Sequence, residues 1–340
     1  MIKDKVNIGV VGVGHLGRWH VQQLKTIRDA NLVGVYDVDS QRAHQVADEF
    51  DTHVFDSFDK LLRNCNALSI VTPTTTHFEY AKKALLNNKH IFIEKPITET
   101  VEQGNEIVDL AEKRNLKLQV GHIERFNPAL LAVEEFIHYP LFIESHRLST
   151  FNPRGTDVAV VLDLMIHDID LILSFIKSPV KYIHASGVSI ISQTEDIANC
   201  RLEFKNGAVA NVTASRISTR KMRKMRFFQP NAYLSVDFLE GTSEVYQLVK
   251  GALSKRDGQF TFPIDQKGDE KDQKSIQYSR YEKKDLNPLN YELSLFIQSI
   301  LKDETPAVTG KEAVRALRIA RKILKSINKH AETVKKHLDL

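Results

Sequence analysis

The chain has 340 residues, 42% of them hydrophobic and 26% charged, with a formal net charge of +4. It exceeds a typical single domain, and the mild charge does not by itself imply nucleic acid. The two cysteines, Cys65 and Cys200, form no ligand or redox spacing and fit a reducing cytoplasm.

Residues 1–5 lead straight into an apolar strand, so no signal peptide is expected ahead of the fold. The strand, Val6 onward, runs into glycines at 12, 14 and 17, which form G-x-G-x-x-G before a helical pattern. Gly12 allows a sharp turn. Gly14 lets the backbone approach a pyrophosphate, and Gly17 lets the helix pack tightly on the strand. The N–H groups of the first helical turn then face the phosphates. A second strand, 31–37, ends in Asp37, about 20 residues beyond the last glycine, as the dinucleotide fingerprint requires. Asp37 can accept hydrogen bonds from the adenosine ribose and would repel a 2′-phosphate, so NAD is expected over NADP.

A helix is predicted over 41–50, capped by Asp39 or Ser40, then a short strand over 52–55 and a helix over 57–63. Residues 67–71 read as a strand buried on both faces. It ends in Thr72-Pro73-Thr74-Thr75-Thr76-His77, ahead of a helix over 78–86. The strand 90–93 ends in Glu94-Lys95-Pro96. A helix over 101–114 and a strand over 116–120 follow. This alternation implies a right-handed parallel sheet, with ligands beyond the carboxyl ends of its strands. Residues 12–17, Asp37, 72–77, 94–96 and Gly121-His122 should therefore line one edge. Lys95 would lie near the nicotinamide; a solvated surface lysine is the plainer alternative.

In the second half, Asn127 and Pro128 open a helix predicted to run from 124 to about 138, followed by a strand over 141–150. Residues 157–176 are helical and apolar on most faces, but Asp163, His167, Asp168 and Asp170 interrupt them, which rules out a simple membrane span. Asp163 and His167 share a helix face. They suit a base oriented by a carboxylate, or a satisfied buried pair. Strands are predicted over 180–191, 197–204, 208–218 and 225–238, and 243–249 reads as a possible fifth; Asn206-Gly207 marks a hairpin. These imply an antiparallel sheet with one face free for a partner or second subunit. Residues 251–284 read as a polar loop. Helices are expected over 291–301 and 311–327, with an exposed tail from Asn328.

The glycine loop with His20, the Glu94-Lys95-Pro96 triplet and Asp163-x-x-x-His167 together resemble the glucose-fructose oxidoreductase/inositol dehydrogenase (Gfo/Idh/MocA) family. The resemblance implies an α/β Rossmann domain with a parallel sheet over 1–123. It further implies an α+β domain with an open, mostly antiparallel sheet over 124–340, whose last helices can pack back on the first domain. It implies NAD as cofactor, no metal, and homo-oligomers, dimers or tetramers, formed through the second sheet. Lys95, Asp163 and His167 would be catalytic, with either His167 or Lys95 as the base. Gly12, Val13, Gly14, His15, Leu16, Gly17, Asp37, Thr72, Pro73, Thr74, His77, Glu94 and Lys95 are expected to hold the cofactor. Lys95, Arg125, Asn127, Asp163, His167 and Arg223 are expected to hold the substrate.

Residues 121–128 and 160–170 look like the branch of this family that oxidises the 3-hydroxyl of UDP-N-acetylglucosamine, supplying a 3-keto sugar nucleotide for amination on the way to lipid A. The chain departs from many members at Leu164-Met165, where a glycine-containing Asp-x-Gly-x-His often stands. Separately, Arg216, Arg220, Lys221, Arg223, Lys224 and Arg226 crowd a short span with aromatic neighbours. Guanidinium groups suit a diphosphate. The same run also fits a solvated strand face, a subunit contact or a nucleic-acid patch. The leading expectation is a cytoplasmic NAD-dependent oxidation of a UDP-N-acetylhexosamine. The alternatives are another sugar, sugar acid or polyol and, in a different class, an NAD(H)-sensing binding protein.

Overall fold

The β-branched run after Lys5 forms strand β1 (Val6–Val11) in a computed structural model that describes residues 5–152, 158–250, 259–264, 274–283 and 286–338. Helix α1 (His15–Thr26) follows the glycine turn, and strand β2 (Ala30–Tyr36) leads to helix α2 (Ser40–Phe50). Asp39 caps α2 by accepting a hydrogen bond from Arg42 N at 3.1 Å. Helix α3 (Phe58–Asn64), capped by Ser57, precedes β3 (Ala67–Ile70), α4 (Thr74–Leu86) and β4 (His90–Glu94). Helix α5 (Val101–Lys113) starts with a Thr100/Gln103 capping box and leads to β5 (Leu118–Gly121).

The helix predicted over 124–138 is not continuous. A 3-10 turn (Ile123–Phe126), the one-turn helix α6 (Pro128–Leu131) and a second 3-10 turn (Glu134–Phe136) occupy it. Asn127 caps α6 as expected, accepting from Ala129 N at 3.1 Å. Strand β6 (Phe142–Leu148) precedes a π-turn (Val161–Met165) that runs into α7 (Ile166–Phe175); the start predicted at 157 lies outside the described residues. Strands β7 (Val180–Val188), β8 (Ile197–Phe204) and β9 (Val209–Ser215) match three of the predicted strands, with Gly207 at φ +86° in the hairpin turn.

The single strand expected over 225–238 is a hairpin, β10 (Met222–Gln229) and β11 (Ala232–Asp237). Pro230 cannot donate to a ladder, and Asn231 takes the left-handed conformation at φ 64°, so the chain reverses there. Strand β12 (Thr242–Lys250) is followed by β13 (Gln259–Pro263) and β14 (Lys274–Glu282), both within the segment expected to be a loop; residues 251–258, 265–273 and 284 lie outside the described residues. Helices α8 (Pro288–Leu301) and α9 (Gly310–Leu338) close the chain, α9 running past its expected end at 327.

Two compact units result: residues up to Ile123 together with Asn287–Arg318, and Glu124–Leu286 together with the chain from Ile319. In the first, among the described residues, five parallel strands are ordered β2-β1-β3-β4-β5. The strand predicted over 52–55 is a single bridge, Val54 beside Val35. Leu293, Phe296 and Ile297 of α8 enter the same core as Val6, Ile8, Val10 and Phe92, and the Phe92 and Phe296 rings lie 5.9 Å apart edge to face. The edge strand β5 is met by the α8–α9 connection: Val120 N donates to Val308 O at 3.1 Å, and Gln119 bridges to Thr309.

In the second unit, among the described residues, nine strands are ordered β13-β14-β12-β11-β10-β6-β9-β8-β7. All neighbours are antiparallel except β6 and β9. One sheet face carries buried Ile143, Met225, Phe227, Val212 and Cys200, with Phe175 of α7 packed on Phe227 at 5.2 Å. The opposite face carries an aromatic row: Phe142, Phe228, Tyr233, Tyr246, Tyr278 and Phe260 follow one another with centroids 5.5, 4.9, 5.3, 5.0 and 6.3 Å apart. Such cross-strand pairs fix register. No helix among the described residues is long and apolar enough to cross a membrane.

Candidate active site

The turn between β1 and α1 forms one wall of a cleft of about 460 Å³ at the strand ends. Gly12 sits at φ +83°, and a Cβ there would come within 2.7 Å of Val71 O. A Cβ on Gly17 would lie 1.9 Å from Gly12 O, so α1 packs against the turn with no room for a side chain. At Gly14 a Cβ would meet nothing within 4 Å. The three glycines thus divide as expected: two shape the turn, and the third leaves open space above it. That space, beside the α1 N-terminus, is what a dinucleotide pyrophosphate requires.

Asp37 stands at the end of β2, its side chain almost fully enclosed. Its Oδ2 accepts from Val13 N at 2.8 Å and its Oδ1 from Asp39 N at 2.9 Å. A carboxylate has about four lone-pair sites, so capacity remains for ribose hydroxyls. The expected residues Gly12, Gly14, His15, Leu16, Asp37, Thr72 and Pro73 line the cleft, and the donor set suits NAD. Thr76, within the expected 72–77 edge, lines it as well, and so do Tyr36, Val38, Arg42 and Tyr80, which the sequence did not single out. Arg42 is the consequential one, with Nη1 3.6 Å from Asp37 and Nη2 3.0 Å from Asp39. Its position three residues into the helix after the acidic strand end was the available signal.

Val13 contributes its backbone N–H to Asp37, and Thr74 is the first residue of α4. His77 differs from expectation. Its ring is fully enclosed, with Nδ1 2.9 Å from Pro96 O and Nε2 2.8 Å from Thr72 O. It ties the turn after β3 to the turn after β4 and presents no surface to a cofactor. Burial pushes its pKa down, against the pull of the carbonyls that its ring nitrogens face.

Glu94 ends β4 beside Lys95, which is half-buried and joined to Pro96 by a cis peptide bond. Beneath it His20 is enclosed, with Nε2 3.1 Å from Glu94 Oε1 and Nδ1 2.8 Å from Ser69 Oγ. Burial pushes the Glu94 pKa up, but the His20 hydrogen bond and charge and the neighbouring Lys95 outweigh it, leaving the carboxyl below its ordinary value. The Ser69–His20–Glu94 chain thus holds an anion immediately before Lys95.

In the second unit Asp163 lies in the π-turn and His167 in the first turn of α7, both half-buried. The π-turn covers Leu164-Met165, the segment that departs from the family pattern. Asp168 and Asp170 of α7 each meet an arginine fork. Arg147 donates to Asp168 at 2.9 and 3.0 Å and to Glu124 at 2.7 Å. Arg125 donates to Asp170 at 2.7 Å through both Nε and Nη2. Asn127 Nδ2 donates to Glu124 and to Phe238 O, each at 3.2 Å. Arg125 and Asn127, expected at the substrate, are therefore engaged in holding α7 and the 124–127 turn.

The basic run does not act as one patch. Arg216 is buried and donates to Val158 O, Arg226 pairs with Glu144 at 2.7 Å, and Lys224 pairs with Asp237 at 3.0 Å. Arg223 is half exposed, with Nη1 3.7 Å from Glu124. Among the described residues no group of three or more His, Cys, Asp or Glu is arranged to hold a metal.

Residues 6–122 match the profile described as the oxidoreductase family, NAD-binding Rossmann fold, and residues 138–233 match the GFO/IDH/MocA C-terminal domain. The chain is 40% identical over 246 residues to a UDP-N-acetylglucosamine 3-dehydrogenase of Acidithiobacillus ferrooxidans, covering 72% of this chain and 78% of that one. It is 31% identical over 196 residues to an inositol 2-dehydrogenase of Rubrobacter xylanophilus, covering 55% and 56%. The solved structure of the Acidithiobacillus ferrooxidans UDP-N-acetylglucosamine 3-dehydrogenase superposes with a TM-score of 0.84 at 33% identity, covering 96% of this chain and 98% of that one.

Proposed function

Since the chain belongs to the Gfo/Idh/MocA oxidoreductase family and is an NAD-dependent sugar dehydrogenase, we propose that it oxidises the 3-hydroxyl of a UDP-N-acetylhexosamine, UDP-N-acetylglucosamine first among them. The observation that carries this reading is the 40% identity to a UDP-N-acetylglucosamine 3-dehydrogenase across most of both chains.

Bound NAD supplies the hydride acceptor. The residues of this chain do the rest. The glycine turn and Asp37 seat the cofactor. Lys95 donates a hydrogen bond to the substrate oxygen as it gains carbonyl character. His167 takes the hydroxyl proton, a task that suits imidazole because the unperturbed side chain titrates near pH ~6.5, and Asp163 orients the ring. The Arg147–Asp168 and Arg125–Asp170 forks fix the helix that carries His167. Arg223, the half-exposed arginine of the basic run, meets the diphosphate. Because Arg216, Lys224 and Arg226 are engaged within the fold, the run lends no support to nucleic-acid binding.

The 3-keto sugar nucleotide would feed an amination in the making of lipid A or another envelope sugar, in the cytoplasm where both nicotinamide and UDP-sugars are found. The aromatic row on the open sheet face supports a homo-oligomer, dimer or tetramer, assembled through that face. The test is absorbance at the reduced-nicotinamide band with UDP-N-acetylglucosamine, UDP-N-acetylgalactosamine, UDP-glucose and myo-inositol. Wild type is compared with Lys95→Ala and His167→Ala. Turnover restricted to myo-inositol overturns the nucleotide-sugar reading. Wild-type rates in both variants overturn the residue assignment. If His167→Ala keeps a pH-dependent rate while Lys95→Ala abolishes it, Lys95 is the base.

A further inference from the structure

The edge strand β7 of the second sheet and the closing helix flank an open hollow of about 490 Å³, apart from the cleft of the glycine turn. Its walls carry Lys181 and His184 from β7 and Lys322, Lys325, Ser326 and Lys329 from α9. Among the described residues the lining includes four lysines and no carboxylate. We propose that this cavity binds a ligand bearing two or more phosphate groups.

The placement is built by both elements. Residues 322, 325, 326 and 329 are spaced three and four apart, so they fall on one face of α9. On β7 the pairing with β8 slips between Val180 and Tyr182, leaving Lys181 as the extra residue, and such bulges re-aim a side chain. Its ammonium sits 4.9 Å from the centre of the Tyr182 ring, which holds it in place. Ala185 N donates to Ser326 Oγ at 3.2 Å, so the edge strand and the helix are fixed against each other and the basic walls do not drift apart.

Charge and size select the ligand. Four ammonium groups around a concavity match the three to four negative charges of a diphosphate or of paired phosphomonoesters. Lysine contacts phosphate as a compact point charge, without the planar geometry that an arginine fork imposes. The volume lies in the range of small-molecule pockets, roughly 300–1,000 Å³. The phosphate groups could belong to a free metabolite or to lipid headgroups at a bilayer surface; the recognition chemistry is the same.

Two probes separate these sources. Inorganic pyrophosphate is titrated calorimetrically into NAD-saturated protein, so that the glycine turn is already filled. In parallel the protein is sedimented with vesicles of phosphatidylglycerol and, as control, of phosphatidylcholine. Both are repeated with the K181Q/K322Q/K325Q variant. The expected result is phosphate-dependent binding that weakens with added salt and falls at least tenfold in the variant, while its thermal midpoint and NAD affinity match wild type. Loss confined to pyrophosphate identifies a free phosphate ligand; loss confined to phosphatidylglycerol identifies a headgroup. Equal binding by wild type and variant to both probes, or no binding of either by wild type, overturns the proposal.

Discussion

Arg147 of β6 grips Asp168 of α7 at both carboxylate oxygens, 2.9 and 3.0 Å, with both side chains buried. The residue before Asp168 is His167, the proposed base. Burial pushes the Arg147 pKa down, but the charges of Asp168 and Glu124 and their hydrogen bonds raise it above its ordinary value. Asp168→Asn therefore strips a buried cation of half its compensation. A loss of about 3–5 kcal/mol is expected in a urea titration. Arg147→Met with Asp168→Leu and Glu124→Gln, which removes all three charges of the cluster, should lose much less.

Asp37 and Arg42 set the cofactor preference together. Wild type is expected to bind NADH well above NADPH in a fluorescence titration. Asp37→Ser removes the repelling charge and one of the two carboxylates that engage Arg42, which stands 3.6 Å from Asp37 and can then meet a 2′-phosphate. NADPH affinity should rise at least ~10-fold, since one lost charge–charge repulsion is worth more than about 1.4 kcal/mol at this range. Adding Arg42→Ala should cancel most of the gain.

The glycines at 14 and 17 separate binding from folding. A methyl at 14 projects into open space, so Gly14→Ala should keep its thermal midpoint within about 2 °C while NAD affinity falls at least ~10-fold. A methyl at 17 collides with Gly12 O, so Gly17→Ala should lose both affinity and several degrees of midpoint.

Glu94 makes part of the acid stability. Its folded pKa lies below the ordinary carboxylate value, because the His20 hydrogen bond and charge outweigh burial. A lowered folded pKa contributes stability that is present above the unfolded pKa of about 4.3 and is lost as pH falls through the folded value. The stability gap between wild type and Glu94→Gln should therefore be constant near neutrality and shrink below about pH 4.3. Chemical denaturation at a series of pH values checks this; a gap that widens on acidification refutes it.

Features governed by neighbours in sequence were legible: the glycine turn, Asp37, the caps at Asp39 and Asn127, and the strand–helix alternation. Those that depend on distant partners were not. Arg147 and Asp168 are 21 residues apart and meet only through the packing of β6 against α7. In the same way, nothing in the residues around Arg125 marks it as the partner of Asp170 rather than a ligand of the substrate. His77 reads as a strand-end polar residue, yet its burial is set by Pro96, 19 residues on. The turn at Pro230-Asn231 had a local signal, since Gln229-Pro230-Asn231 breaks the apolar pattern with turn-forming residues and the buried positions change phase across it. Strands β13 and β14 were hidden because their segment is polar and charged, and only pairing with β12 and with each other makes them strands.

The hydrogen bond from Val120 to Val308 has a consequence for biosynthesis. The first unit's edge strand is finished by residues that leave the ribosome more than half a chain later, and the Phe92 core waits for Phe296 in the same way. A nascent polypeptide arrested at residue 286 would bear a nucleotide-binding half that is sticky and protease-sensitive, a client for chaperones until the closing helices emerge.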